Sequence, residues 1–156
     1  MALRIVPVGP DTVEQWRAVH NEIIPAHQLT ADEMRDRLTR NRLTLAYDAD
    51  VLVGNATIRP PRSDGTTATV IVRILPPYRR RGFGSRYLDA MLAEARTMGA
   101  RRIETVVLAA NADGLAFAVR RGFVEFDRYV VDDETAEFVD LYLEDGPRGS
   151  ADEQEQ

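Results

Sequence analysis

The segment ILPPYRRRGFGSRY, residues 74–87, sets three arginines in a row before two glycines separated by one residue. It closes TTATVIVRIL (66–75), the most β-branched run of the chain, which predicts a strand. Pro76 and Pro77 have no backbone N–H to give to a sheet, so the strand must stop there. Beyond residue 82, Leu88, Met91, Leu92, Ala95 and Met98 recur at helical spacing, and Gly99 marks the stop. A helix beginning near Gly82 exposes backbone N–H groups without intrahelical partners at the positive end of its dipole. Gly82 and Gly84 let an anion come close to that backbone, and Arg79, Arg80 and Arg81 add charge beside it. Strand, sharp stop, basic turn and helix N-terminus together predict a site for a polyphosphate such as a pyrophosphate.

Two common phosphate-binding signatures do not fit these residues. A P-loop needs lysine and Ser/Thr after its last glycine, and Ser85-Arg86 follow Gly84. A dinucleotide fingerprint needs a third glycine where Tyr87 stands. The competing reading is a solvated arginine turn whose glycines only permit tight packing. It leaves the fit of strand, prolines and following helix without a purpose.

Working outward, residues 3–8 read as a short strand ended by Gly9-Pro10. Asp11 is a candidate N-cap for a helix carrying Val13, Trp16, Val19, His20 and Ile23 on one stripe and ended by Pro25. Thr30 with Glu33 is a capping-box pattern opening a second helix that runs to Asn41. The β-rich runs 43–48 and 51–60 are divided by Ala49-Asp50, a hairpin signal, and Ser63-Asp64-Gly65 is a further turn. A strand at 102–109, a short helix at 111–121 ended by Gly122, and a hairpin of 123–131 with 137–144 complete the pattern. The order β-α-α-β-β-β-α-β-α-β-β predicts one α/β domain over residues 1–144. Its sheet is mixed, mostly antiparallel and twisted, with helices on both faces. The strand–helix–strand unit from 66 to 109 should be a parallel crossover. The tail, 145–156, lacks large apolar residues and reads as a disordered acidic segment.

Composition narrows the function classes. The chain of 156 residues is 44% apolar and 29% charged, which suits one soluble domain with a full core. Its net charge of −5 disfavours non-specific nucleic-acid binding. The absence of cysteine excludes disulfides, thiolate metal sites and a cysteine nucleophile. The two histidines, His20 and His27, have no carboxylate cluster at ligand spacing, so no metal site is expected. No apolar run approaches the ~18 residues of a membrane span, and MALRIVPVGPD lacks a signal-type apolar stretch. The expectation is a cytoplasmic protein with neither nucleic acid nor membrane as partner.

Arg79-x-x-Gly82-x-Gly84 behind Ile74-Leu75-Pro76 resembles the acyl-CoA-binding motif of the GNAT superfamily of N-acyltransferases. That motif is an arginine or glutamine, two residues, glycine, one residue, then glycine or alanine, after a strand ending apolar–any–proline. Asn111 and the Gly122-Phe123 pair resemble the family's asparagine–helix–Gly-Phe segment. The likeness in element order covers nearly the whole chain apart from the tail. It implies a GNAT-like fold and an N-acetyltransferase with acetyl-CoA as co-substrate. A primary amine, on a small molecule or a peptide, would be the acceptor, and the protein would be a monomer or homodimer.

The resemblance also implies positions. The motif arginine is Arg79. Backbone N–H groups at Arg80, Arg81, Gly82, Phe83, Gly84 and Ser85 would hold the CoA pyrophosphate. The pantetheine arm would lie along Val72, Arg73 and Ile74, which requires that strand to splay from 102–109. A backbone N–H there would polarise the thioester carbonyl. Asn111 would contact the pantetheine or adenylate end, a role compatible with a plain helix N-cap. The amine would attack the thioester directly, so the enzyme need only position the reactants, accept a proton and protonate the leaving thiolate.

On the acceptor side the resemblance points between the first two helices and the last hairpin, near Trp16, His20, Glu22, His27, Tyr47, Tyr129 and Tyr142. Each has a structural reading beside it: Trp16 and His20 as core residues, Glu22 as a solvated helix charge, Tyr129 and Tyr142 as half-buried strand residues. Many family members place a glutamate base on one of the splayed strands. Here Glu104 sits near its strand's start. Many also carry, seven residues after the asparagine, a tyrosine that protonates the thiolate. That position is Ala118, flanked by Phe117 and Val119. Tyr129 and Tyr142 are the candidate replacement donors. A non-catalytic CoA-binding or sensing module on the same fold is the alternative.

Overall fold

Alternation and helical periodicity translate directly into the elements of the computed structural model, which describes residues 3–25, 28–62, 65–131 and 136–144. In chain order they are β1 (Leu3–Pro7), α1 (Val13–Ile23), α2 (Ala31–Arg40), β2 (Arg42–Asp48), β3 (Val51–Arg59) and β4 (Thr67–Ile74). A single 3-10 turn at Pro76–Tyr78 leads into α3 (Phe83–Thr97), β5 (Arg102–Leu108), α4 (Ala112–Arg120), β6 (Val124–Val130) and β7 (Glu137–Glu144). His27, Ser63-Asp64 and the tail 145–156 lie outside the described residues.

The strands form one seven-stranded sheet in the order β1-β2-β3-β4-β5-β7-β6. Every neighbouring pair is antiparallel except β4 and β5, which are parallel and joined by the crossover through α3. Fold class and element order are thus as the sequence predicts. One detail differs: Thr12, not Asp11, occupies the N-cap of α1, and its hydroxyl accepts a hydrogen bond from the Gly9 N–H at 3.0 Å. The capping box of α2 is formed on both sides. The Glu33 N–H donates to Thr30 Oγ1 at 3.1 Å, and the Thr30 N–H donates to Glu33 Oε1 at 2.9 Å.

Two apolar layers sandwich the sheet. On one face, Val70, Phe83, Tyr87, Met91, Ile103 and Leu141 belong to a core under α3 and α4. On the other, Trp16, Leu29, Met34, Leu43 and Leu45 close α1 and α2 onto β2 and β3. Trp16 is fully buried and its indole N–H donates to the Ala56 carbonyl at 3.1 Å. Asn55 returns a bond from Nδ2 to the Trp16 carbonyl, also 3.1 Å. His20 is buried and stacks on Trp16 with ring centroids 5.8 Å apart. These contacts fix α1 over the middle of the sheet, where its end borders the site.

Close approach decides one further residue. A Cβ on Gly54 would lie 2.1 Å from the Arg73 carbonyl oxygen, so β3 and β4 can pair in this register only with glycine there.

Candidate active site

The site begins where the sheet parts. β4 and β5 pair only at Thr67↔Arg102, Ala68↔Ile103 and Thr69↔Glu104. β4 then continues to Ile74 on β3, while β5 continues to Leu108 on β7. Between the two diverging edges lie two cavities, of about 320 and about 570 Å³. Ile23, Val72, Arg73, Asn111, Gly114 and Phe117 line both, so the cavities meet across the gap.

The larger cavity lies at the basic turn. Val72, Arg73, Ile74, Arg79, Arg80, Gly82, Gly84, Ser85 and Asn111 line it, nine of the residues singled out from the motif. Phe83 is instead buried in the core, and the exposed Arg81 lies over the Tyr78 ring, 5.9 Å from its centroid. The turn is built for close approach. Gly82 has φ 84° and Arg80 φ 64°, both left-handed. For arginine that conformation costs roughly 1–2 kcal/mol, and such strain gathers at ligand sites. Arg79 holds the turn from behind: its Nε donates to the Ile74 carbonyl at 2.7 Å. In α3 the Arg86 N–H bonds back to the Gly82 carbonyl at 3.2 Å. The N–H groups of Phe83, Gly84 and Ser85 precede it, in the first turn where the helix itself offers no acceptor. Across the mouth, Arg80 meets Asp113 of α4 at 3.6 Å, both highly exposed. Asn111 is the N-cap of α4: its Oδ1 accepts the Gly114 N–H at 2.9 Å while the residue lines both cavities.

The smaller cavity runs through the gap, from Leu88 of α3 and Ala118 of α4 on one side of the sheet to His20 and Ile23 of α1 and Arg37 of α2 on the other. Its polar lining comes from His20, Arg37, Arg59, Arg73, Thr105, Asn111 and Tyr129. The alternation of β7 puts Phe138, Asp140 and Tyr142 on the α1/α2 side, while Val139 and Leu141 are fully buried on the other. The Tyr129 hydroxyl donates to Asp140 Oδ1 at 3.0 Å. Burial, the bond to Asp140 and that carboxylate's charge push the Tyr129 hydroxyl up to about 12. Burial raises Asp140 above the usual carboxylate range, and Asp127 and Glu104 add to the rise against the Tyr129 bond and Arg59.

The two candidate donors are therefore separated. Tyr129 lines the cavity. Tyr142 sits under Arg102, 4.1 Å from guanidinium carbon to ring centroid, and edge-on to Phe126, and is not among the residues lining either cavity. Tyr47 donates to Gln15 Oε1 at 2.6 Å, away from both. Glu104 pairs with Arg102 at 3.1 Å. Ala118 is buried and lines the smaller cavity with Phe117. Asp140, Arg37 and Arg59 were not singled out in the sequence. A carboxylate between the apolar residues of FVDLYLE was the available signal for Asp140. Nothing local marked the arginines. Among the described residues, no group of three His, Asp or Glu side chains could hold a metal ion, and no helix is long and apolar enough to cross a membrane.

Comparison with known proteins gives the same picture. Solved structures share the fold of this chain at low identity. They include Naa50 of Arabidopsis thaliana in complex with a bisubstrate analogue (TM-score 0.77, 20% identity, 93% of this chain and 100% of that one). Another is yncA of Salmonella typhimurium with its cofactor acetyl-CoA (TM-score 0.74, 17% identity, 92% and 94%). Among curated proteins, mycothiol acetyltransferase of Corynebacterium efficiens is 29% identical over 140 residues, covering 83% of this chain and 47% of that protein. The chain thus spans about half the length of that relative. Residues 11–123, which hold the basic turn, the splayed strands and the Asn111 helix, match the model of the acetyltransferase (GNAT) family, and the chain belongs to that family.

Proposed function

We propose that this protein is an N-acetyltransferase that moves an acetyl group from acetyl-CoA to a primary amine by direct attack within a ternary complex. The observation that carries this reading is the meeting of two cavities through the gap between β4 and β5. One is lined by the basic turn, the other by Tyr129, whose hydroxyl is held by Asp140. The residues fit the donor: open backbone N–H groups at the start of α3, a glycine whose Cβ would point at Ile74 and Phe117, and an unpaired strand edge. Acetyl-CoA supplies an acyl group already activated as a thioester, so no enzyme nucleophile is required.

The chain's own residues then have three tasks. Gly82, Gly84, Ser85 and the flanking arginines hold the pyrophosphate, and Val72, Arg73 and Ile74 guide the pantetheine arm. Asp140 accepts the proton from the acceptor's ammonium. Tyr129, held on Asp140 Oδ1 and protonated throughout the neutral range, is a donor on the cavity wall where Ala118 has none to give. A non-catalytic CoA sensor is the second reading, and Ala118 is the observation that favours it.

Acetyl-CoA at ~100 times its dissociation constant should raise the apparent stability by about 2.7 kcal/mol. A thermal melt unmoved by millimolar acetyl-CoA would count against the whole site. Thiol release on incubation with an amine panel separates enzyme from sensor.

With an active amine in hand, Asp140→Asn should lower kcat by about 10²–10³-fold. It should also remove the acidic limb of the pH profile. Because Asp140 is raised in the folded state, the group is a working base only above the usual carboxylate range. The same sign means that ionising it weakens the fold as pH climbs from the ordinary carboxylate value through its raised one, so Asp140→Asn should melt no earlier than wild type at neutral pH. Tyr129→Phe should lower kcat more than Tyr142→Phe. Equal and small losses in both, with a gain in Ala118→Tyr, would point to protonation by solvent.

A further inference from the structure

Arg37 of α2, Arg59 of β3 and Arg73 of β4 all line the smaller cavity. Tyr129 lines it too, and its hydroxyl donates to Asp140 of β7, which is not itself on the cavity wall. Asp127 of β6, paired opposite Asp140, and Glu104 of β5 add negative charge around that carboxylate. The three arginines form no ion pair among the described residues. Arg73 Nη1 is completely enclosed and has no hydrogen-bond partner.

That arrangement is costly for an empty protein. Buried cations are normally paired, and a guanidinium stays charged near neutral pH. Burial, reinforced by Arg37 and Arg59, pushes Arg73 down to about 10, still cationic under working conditions. Arg37 and Arg59 are lowered as well, both first by burial. An anion among the three would relieve burial and mutual repulsion together. The remaining lining is largely apolar and includes Ile23, Ile24, Ile71, Val106, Leu108 and Phe138. A pocket of this size with few placed polar groups selects a small ligand by where those groups stand.

We propose that the acceptor carries, besides its amine, an anionic group, a carboxylate or phosphonate, seated among Arg37, Arg59 and Arg73. The amine then lies toward Asp140 and the gap between β4 and β5. This rests on the acetyltransferase reading and narrows its acceptor to amino-acid-like amines with an apolar side chain. The guanidinium forks hold the anion by charge-assisted hydrogen bonds and set the distance from anion to amine. A plain alkylamine leaves the buried arginines without an anion, so the site discriminates against it.

Calorimetry of wild-type protein with acetyl-CoA examines the acetyltransferase reading alone. Thiol release is then compared for L-leucine, its 1-aminophosphonate analogue and 3-methylbutylamine. At least one anionic amine should exceed 3-methylbutylamine in kcat/KM by about 30-fold, the size of a charged hydrogen bond lost. Arg59→Gln, checked for an unchanged melt, should shrink that ratio by about tenfold, chiefly through KM. Two amine-free anions, 4-methylpentanoate and 3-methylbutylphosphonate, should bind wild type by calorimetry and bind Arg59→Gln more weakly. Equal kcat/KM for amines with and without the anion overturns the proposal and leaves the acetyltransferase reading standing. If no amine turns over, failure of both amine-free anions to bind overturns it. Failure of acetyl-CoA to bind sinks the acetyltransferase reading instead, and the amine-free anions then decide the arginine site independently.

Discussion

Gly84→Asp is expected to fold normally and to lose acetyl-CoA affinity by ~100-fold or more. A Cβ at Gly84 would meet Phe117 Cζ at 3.7 Å and Ile74 Cγ1 at 3.8 Å, ordinary contacts that the fold tolerates. The added carboxylate would stand in the first turn of α3, where the dipole and open N–H groups favour a negative charge. The variant should therefore melt at or above the wild-type temperature while its own side chain takes the place of the pyrophosphate. Gly82→Asp meets no atom within 4 Å but must hold φ 84° without glycine's freedom, so it should lose affinity and roughly 1 kcal/mol of stability as well. Arg79→Ala should weaken binding less, because backbone donors remain once its bond to the Ile74 carbonyl is gone. Calorimetry and a melt on each variant settle the matter. A folded aspartate variant that binds acetyl-CoA like wild type would put the pyrophosphate elsewhere.

Gly54→Ala is expected to cost about 3 kcal/mol, at the upper end for forcing atoms into a packed interior. The obstacle is backbone, the Arg73 carbonyl 2.1 Å from the new Cβ, so no side-chain rotation relieves it. For a chain of this size that corresponds to a melting temperature lower by roughly 6–12 °C. The effect should reach the ligands too, since pushing β4 away moves Val72, Arg73 and Ile74 together. Gly9→Ala, with nothing within 4 Å, is the matched control and should move the melt by less than about 0.5 kcal/mol. A Gly54→Ala melt indistinguishable from that control would show that the register of β3 on β4 gives way easily.

The parts of this structure that local chemistry dictates were readable from the chain. Pro76-Pro77 had to end a strand, Gly82 sits at φ 84° where a glycine was wanted, and the Thr30–Glu33 box forms as its spacing required. Boundaries resting on a choice between neighbours were not, as Asp11 and Thr12 show. The parting of β4 from β5 came only with the family resemblance, because both runs read as good strands to their ends. The arginine cluster was invisible for a different reason. Its members come from a helix and two strands, and each alone reads as a surface charge. Only the pairing of Asn55 with Arg73 and Arg59 with Thr69 puts two of them on one face, and only the seating of α1 by Trp16 closes that face over. Tyr129 was named for its place on the closing hairpin, and its partner Asp140 needed the register of β6 on β7 to be seen.

The short ladder between β4 and β5 has a dynamic consequence. Three residue pairs are all the direct strand pairing that ties β1–β4 to the β5–β7–β6 half. Such a seam opens at a lower free energy than the whole domain, so amide exchange along it should run faster than in the paired interiors of either half. A molecule strung between the two edges becomes part of the sheet's own cohesion. Its arrival slows exchange on both sides at once, and each half then registers an event that happens on the other.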